Sequence, residues 1–262
     1  MTQRIALGVE YDGHGFCGWQ AQKEGVETVQ GSVEEALSTV ADEPIRVICA
    51  GRTDTGVHGA EQVVHFDTNA ERSNRSWVFG ANANLPKGVC ILWATPISNE
   101  FHARFSARRR RYRYVIFNRH VRPTFLAYRT TWEYRPLDAE RMQEAALHLI
   151  GEHNFDSYRA VGCQAKSPIR TVSYIKLQRQ GEFVWFDIEA NAFLHHMVRN
   201  IAGVLMAIGA GEQEPIWAKQ ILEETDRTKG GVTAPPYGLY LTGVDYDEEF
   251  VLPQIKEPSI IW

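Results

Sequence analysis

One short segment holds the densest set of reactive groups in the chain: Gly51-Arg52-Thr53-Asp54-Thr55-Gly56-Val57-His58. It follows the apolar run Val47-Ile48-Cys49-Ala50. Two glycines bracket an arginine, an aspartate and two hydroxyls, so the backbone can turn tightly and present the carboxylate at the end of a strand. A carboxylate placed there can add to an electrophilic carbon or stabilise positive charge developing on one. Taken alone, the same residues also fit an ordinary Asx turn, in which Asp54 bonds its own backbone.

A second feature is a run of arginines. Residues 104, 108, 109, 110, 111 and 113 are all arginine, and no acid interrupts the stretch from Arg104 to Arg113. The formal net charge of the chain is −4, so there is no global basic field. Contact with a polyanion therefore needs a local patch, and this run is the clearest candidate. The alternation Arg111-Tyr112-Arg113-Tyr114 reads as a strand with both tyrosines on one face and both arginines on the other.

The elements that carry these groups are visible in the apolar spacing. Strands are expected over Ile5 to Tyr11, Ile45 to Ala50, Gln62 to Phe66 and Val89 to Trp93. Val29, Val33, Ala36, Leu37 and Val40 recur at helical spacing behind Thr28, which suits an N-cap, and a short helix is expected over Trp77 to Ala83. The second half repeats the order. It has a strand over Tyr112 to Phe117, a helix capped by Asp138 and closed at Gly151, strands over Val172 to Leu177 and Phe183 to Ile188, and a final strand over Leu239 to Val244. Leu137 and Met142 can form a hydrophobic staple across the Asp138 cap. A long helix after Ala192 buries Met197, Ile201, Val204, Leu205 and Ile208, and another covers about Pro215 to Glu224. This order predicts an α+β protein of two similar ferredoxin-like or RRM-like units sharing a mostly antiparallel mixed sheet. The expected division is 1–105, carrying the Asp54 loop, and 106–262.

The bulk properties bound the function classes. With 262 residues, 44% of them hydrophobic, the chain has material for one large core or two modest ones. Cys17, Cys49, Cys90 and Cys163 form no CxxC pair, which argues against a zinc ribbon or disulfide scaffold and suits the reducing cytoplasm. The first apolar run stops at Glu10, too early for a signal peptide, and no stretch approaches the roughly 18 apolar residues of a membrane span. Two tempting motifs fail. Gly13-His14-Gly15-Phe16-Cys17-Gly18 matches GxGxxG, but no apolar helical period begins inside it and the acids further on, Glu34 and Glu35, sit within a helix. A nucleotide cofactor is therefore not expected. Asp54 and His58, with His102, His195 and His196, suggest a metal. However, adjacent histidines on a helix point about 100° apart, and no HExxH spacing exists, so no metal is expected.

Set in order, the blocks have a family likeness. The loop resembles the signature Gly-Arg-Thr-Asp-Ala-Gly-Val-His of the TruA family of tRNA pseudouridine synthases, departing from it only at Thr55. Tyr11-Asp12-Gly13 with Phe16, Gly18, Trp19, Gln20 and Gln22 resembles the family's N-terminal block. Asn82 to Pro86, Phe101 to Ala107 with Arg111 to Tyr114, Ala192 to Ile201, and Gly238 to Leu241 resemble four more, so the likeness runs from about residue 5 to 246.

The resemblance implies an isomerase that converts uridine to pseudouridine at uridines 38, 39 and 40 of the tRNA anticodon stem-loop. It further implies a central catalytic cleft, no cofactor and a homodimer. Asp54 would be the catalytic carboxylate, ionised during attack at sugar or base or during deprotonation of the sugar; the residues do not choose among these. Arg199 would be its basic partner, Tyr112 would stack on the uracil and offer a route for the C5 proton, and Leu239 would pack on the base from the other side. Arg52 would occupy the gap left by the extruded base, with Arg104 and Arg111 on the RNA backbone. A non-catalytic RNA-binding module of the same fold is the rival reading, and a metal-dependent hydrolase a third.

Overall fold

Ten strands and five α-helices are found among residues 2–23 and 25–253, which the computed structural model describes. In chain order they are β1 (Gln3–Tyr11), α1 (Val29–Ala41), β2 (Ile48–Cys49), β3 (His58–Thr68), α2 (Asn74–Asn84), β4 (Val89–Ile97), β5 (Arg109–Asn118), β6 (Thr131–Glu133), α3 (Ala139–Leu147), β7 (Gly151–Asn154), β8 (Ile169–Gln180), β9 (Phe183–Ala190), α4 (Met197–Gly209), α5 (Trp217–Glu224) and β10 (Leu239–Asp245). No described helix is long and apolar enough to cross a membrane.

The chain folds as two compact units, Met1–Arg108 with the residues from Tyr240 on, and Arg109–Leu239. Most of the last strand thus belongs to the first unit, although it follows the second in the chain. Both units are α+β, with mostly antiparallel pairing.

In the first unit the strand order is β4-β1-β3-β10, with β2 on β3. β1 pairs antiparallel with both β3 and β4, while β10 runs parallel to β3 through Tyr240↔His58 and Leu241↔Gly59. β1 is buried on both faces, and alternation sorts its side chains. Ile5, Leu7, Val9 and Tyr11 join the core formed with α1 and α2, whereas Ala6 joins a smaller cluster with Val63, Trp93, Phe101 and Ala103. Thr28 caps α1 by accepting from the Gly31 N–H at 3.2 Å.

The expected strand Ile45–Ala50 shrinks to Ile48–Cys49. Ile45 and Val47 are buried, but their backbone N–H groups donate to side chains of α1, the Ser38 hydroxyl (2.8 Å) and the Glu34 carboxylate (3.0 Å). A backbone satisfied in that way needs no strand partner.

In the second unit the order is β5-β9-β8-β7, all antiparallel, with β6 parallel on β5. Asp138 caps α3 by accepting from the Glu140 and Arg141 N–H groups, and Leu137 and Met142 are both buried across that cap. The helix stops at Leu147, so Gly151, expected as its terminator, instead heads β7 at φ 107°. Neither β6 nor β7 was legible in the apolar pattern, being only three and four residues long.

The arginine run meets its acids across the fold. Within the first unit, Arg108 forms a fork to Asp247, with Nη2 2.6 Å from Oδ2. In the second, Arg113 bonds both oxygens of Asp187 at 2.7 and 3.0 Å, and Arg109 reaches Glu189 at 3.3 Å. Asp187 and Glu189 lie on β9, whose antiparallel register puts Asp187 directly opposite Arg113. These three arginines are thus engaged in ion pairs with acids that lie outside the run.

Candidate active site

The segment between β1 and α1 forms the frame of the Asp54 loop. The Tyr11 hydroxyl and Thr53 Oγ1 are bonded at 2.8 Å in a buried position, and the Trp19 N–H donates to the Thr53 carbonyl at 3.0 Å. On the other side the Gln62 side-chain amide donates to the Gly51 carbonyl and its oxygen accepts from the Gly51 N–H at 3.3 Å. The Asp54 carbonyl accepts from the Val57 N–H at 3.1 Å, closing the turn. The residue before Asp54 is therefore fixed through both backbone and side chain, while Asp54 is half-buried and Arg52 and Thr55 are exposed.

Two glycines of the rejected GxGxxG match acquire a purpose here. A Cβ on Gly13 would lie 2.0 Å from the Val57 carbonyl oxygen, and one on Gly18, which has φ +82°, would lie 2.9 Å from the Thr53 oxygen. The motif is a packing surface for the Asp54 loop, not a phosphate cradle. Tyr11, Thr53 and Gln62 had not been singled out as site residues. The available signal for Gln62 was a neutral polar residue before the apolar pair Val63-Val64.

His58 is buried, and its Nδ1 accepts from the Gly13 N–H at 3.0 Å. Its ring stacks on Tyr240 at 4.6 Å and 18°. Asp12 Oδ1 lies 3.2 Å from the same nitrogen. The Nδ1 atom is thus held between the Gly13 N–H and the Asp12 carboxylate. His58 thus ties β3 to the framing segment.

Arg52 and Arg104 both act electrostatically on the Cys49 thiol, whose pKa burial nevertheless pushes up to about 12. Thr55, where the family signature has Ala, is exposed.

In the second unit, Tyr112 is buried on β5 and meets Phe193 edge-on at 5.0 Å. Tyr114, on the same face of the strand, is a core residue. Its hydroxyl bonds Thr131 at 2.6 Å and the Pro235 carbonyl at 2.8 Å, and burial raises its pKa. Arg199 lies in the first turn of α4, half-buried. Its Nε donates to the Ala234 carbonyl at 2.9 Å, and its own carbonyl accepts from the Ala234 N–H at 3.1 Å. Leu239 is buried at the start of β10, and Arg111 is half-buried on β5.

The helix expected after Ala192 begins only at Met197, with His196 as its cap at φ 62°. His195 and His196 are therefore not on a helix, and their rings lie 4.1 Å apart. The 100° separation invoked against a shared ion does not apply to them.

The profile of the tRNA pseudouridine synthase family matches residues 8–106 and 145–247. Among curated relatives, the tRNA pseudouridine synthase A of Nitrosococcus oceani is 59% identical over 99% of this chain and 100% of its own length. The protein of that name from Alcanivorax borkumensis is 58% identical over 95% of this chain and 94% of its own. That from Pseudomonas aeruginosa is 58% identical over 97% and 89%. An aspartate loop framed by its own family block, and likeness at this level over nearly the whole length, place the chain in the tRNA pseudouridine synthase family.

Proposed function

We propose that the chain converts uridine to pseudouridine in the anticodon stem-loop of tRNA, at uridines 38, 39 and 40, with Asp54 as the catalytic carboxylate. The isomerisation itself follows from family membership. It breaks the C1′–N1 bond, turns the uracil and joins C1′ to C5. The observation that supports Asp54 is the construction of its loop. Bonds from Tyr11, Trp19 and Gln62 hold the residues before it, so the carboxylate is presented from a fixed backbone.

Arg199 serves as the basic partner of the carboxylate, and Tyr112 stacks on the uracil and takes part in removing the C5 proton. Leu239 packs on the base from the opposite side. Arg52 enters the space vacated by the extruded uridine, and Arg104 and Arg111 contact the RNA backbone. The enzyme works in the cytoplasm as a homodimer without an organic cofactor or metal.

The test uses unmodified tRNA with wild type and Asp54→Asn, with and without chelator, and maps pseudouridine by carbodiimide labelling and primer extension. Wild type forms pseudouridine at the three positions in either condition, while Asp54→Asn forms none and still binds RNA. Conversion by the variant would remove Asp54 from the mechanism. Loss of wild-type activity in chelator would bring back a metal, and sedimentation of the wild-type protein checks the dimer.

A further inference from the structure

In the first unit a tight turn over residues 101–106 holds an aromatic ring out in solvent. Its backbone is fixed at almost every polar atom. The Phe101 carbonyl accepts from Arg4 at 2.8 Å, and the Ala103 carbonyl accepts from the Tyr246 hydroxyl at 2.8 Å. The His102 N–H donates to the Ser106 hydroxyl at 3.0 Å, and the Ser106 N–H returns to the His102 carbonyl at 2.9 Å. The Ala103 N–H donates to Nδ1 of buried His65 at 3.1 Å, and His102 Nδ1 accepts from the N–H groups of both Arg104 and Phe105 at 3.2 Å. Phe101 and Ala103 are fully buried beneath.

From this rigid base Phe105 projects with 73% of its surface exposed. Its ring stacks on His102 at 4.3 Å and 28°, and the Arg104 guanidinium sits 5.6 Å from its centroid. Burial lowers the pKa of His102, so the imidazole under the ring is neutral near pH 7. The result is a flat apolar platform with a cation at its edge, already ordered before anything binds. Such a platform suits a partner that brings a planar face and a negative charge together, which is the chemistry of a nucleotide.

Its place in the unit narrows the role. Ala103 bonds His65, and His65 pairs with Ile48 of β2, the strand that leads into the Asp54 loop. Arg104 and Arg52 share the Cys49 thiol as an electrostatic neighbour. We propose that Phe105, backed by His102 and flanked by Arg104, is a stacking site for an unpaired nucleobase of the RNA, adjacent to the uridine delivered to the Asp54 loop. This inference rests on the tRNA reading given above.

The experiment is done in the Asp54→Asn background, so that binding is read without turnover, with unmodified tRNA as the probe. Phe105→Ala raises Kd by roughly 5- to 150-fold, the usual range for losing one base–aromatic stack, with the melting temperature unchanged because the ring is exposed. Phe105→Trp keeps the parental affinity, and its indole emission is quenched on adding tRNA. A parental Kd for Phe105→Ala would overturn the proposal and hand the exposed ring to a protein contact. So would a Phe105→Trp protein that binds tightly with no change in emission. Failure of the tRNA reading shows separately, as absence of pseudouridine with wild type or of binding by Asp54→Asn alone.

Discussion

The Tyr11 hydroxyl and the Thr53 hydroxyl are joined at 2.8 Å, out of reach of water, one residue before Asp54. The bond links the end of β1 to a loop 42 residues further on. In Tyr11→Phe the Thr53 hydroxyl loses this buried partner, at a cost of about 1–3 kcal/mol. Urea unfolding reads that loss. Single-turnover kinetics should show slower chemistry at unchanged RNA affinity, since the loop is misplaced rather than removed.

The glycines of the framing segment are predicted to be more sensitive than any contact they make suggests. Gly13→Ala drives a methyl against the Val57 carbonyl, which lies 2.0 Å from the Cβ position. Either that backbone or the framing segment must retreat. A displacement near 1 Å at a catalytic loop costs on the order of 100-fold in rate. The measurement is kcat on tRNA, with circular dichroism to show that the fold persists.

Stability should fall in mild acid through His65. Burial, the largest cause, together with the nearby Arg4 and His102 charges, lowers its pKa from 6.5 to about 4. The unfolded chain then binds the proton more readily than the native one. This contribution is complete above about pH 6.5 and is lost as pH falls toward 4, amounting to at most about 3 kcal/mol. Asp67 and other carboxylates also respond to acid, so the comparison is with His65→Asn, which keeps an acceptor for the Ala103 N–H. Urea midpoints at pH 7.5, 5.5 and 4.5 should converge for the two proteins as the pH drops.

The arginines are predicted to divide into a structural and an RNA-binding set. Arg113, forked onto Asp187, is assigned to the fold, and Arg113→Ala should lower stability while leaving the salt dependence of tRNA binding unchanged. Arg104→Ala should flatten the plot of log K against log salt by about 1, the signature of one phosphate contact. Filter binding over a salt series distinguishes them.

Much of this was written in local patterns. Thr28 and Asp138 cap the helices their spacing predicts, and alternation along β5 separates tyrosines from arginines. What stayed hidden depended on partners distant in sequence. Which acid meets Arg113 was not legible, because strand register brings Asp187 to it. The strand at Ile45–Ala50 looked longer because Ser38 and Glu34 take over its backbone bonds from a helix. The glycines of the false dinucleotide motif could be read only once the Asp54 loop was seen lying against them. His195 and His196 resisted because a left-handed cap delays the helix by several residues, and apolar periodicity does not report that.

The parallel strand β10 has a further meaning for the birth of the protein. β3 runs straight out of the Asp54 loop, and its neighbour there is supplied by residues made only after Arg109–Leu239. Until the ribosome has delivered them, the nascent first unit carries an uncovered sheet edge beside its reactive loop. Covering of that edge therefore waits until the residues of β10 have been made.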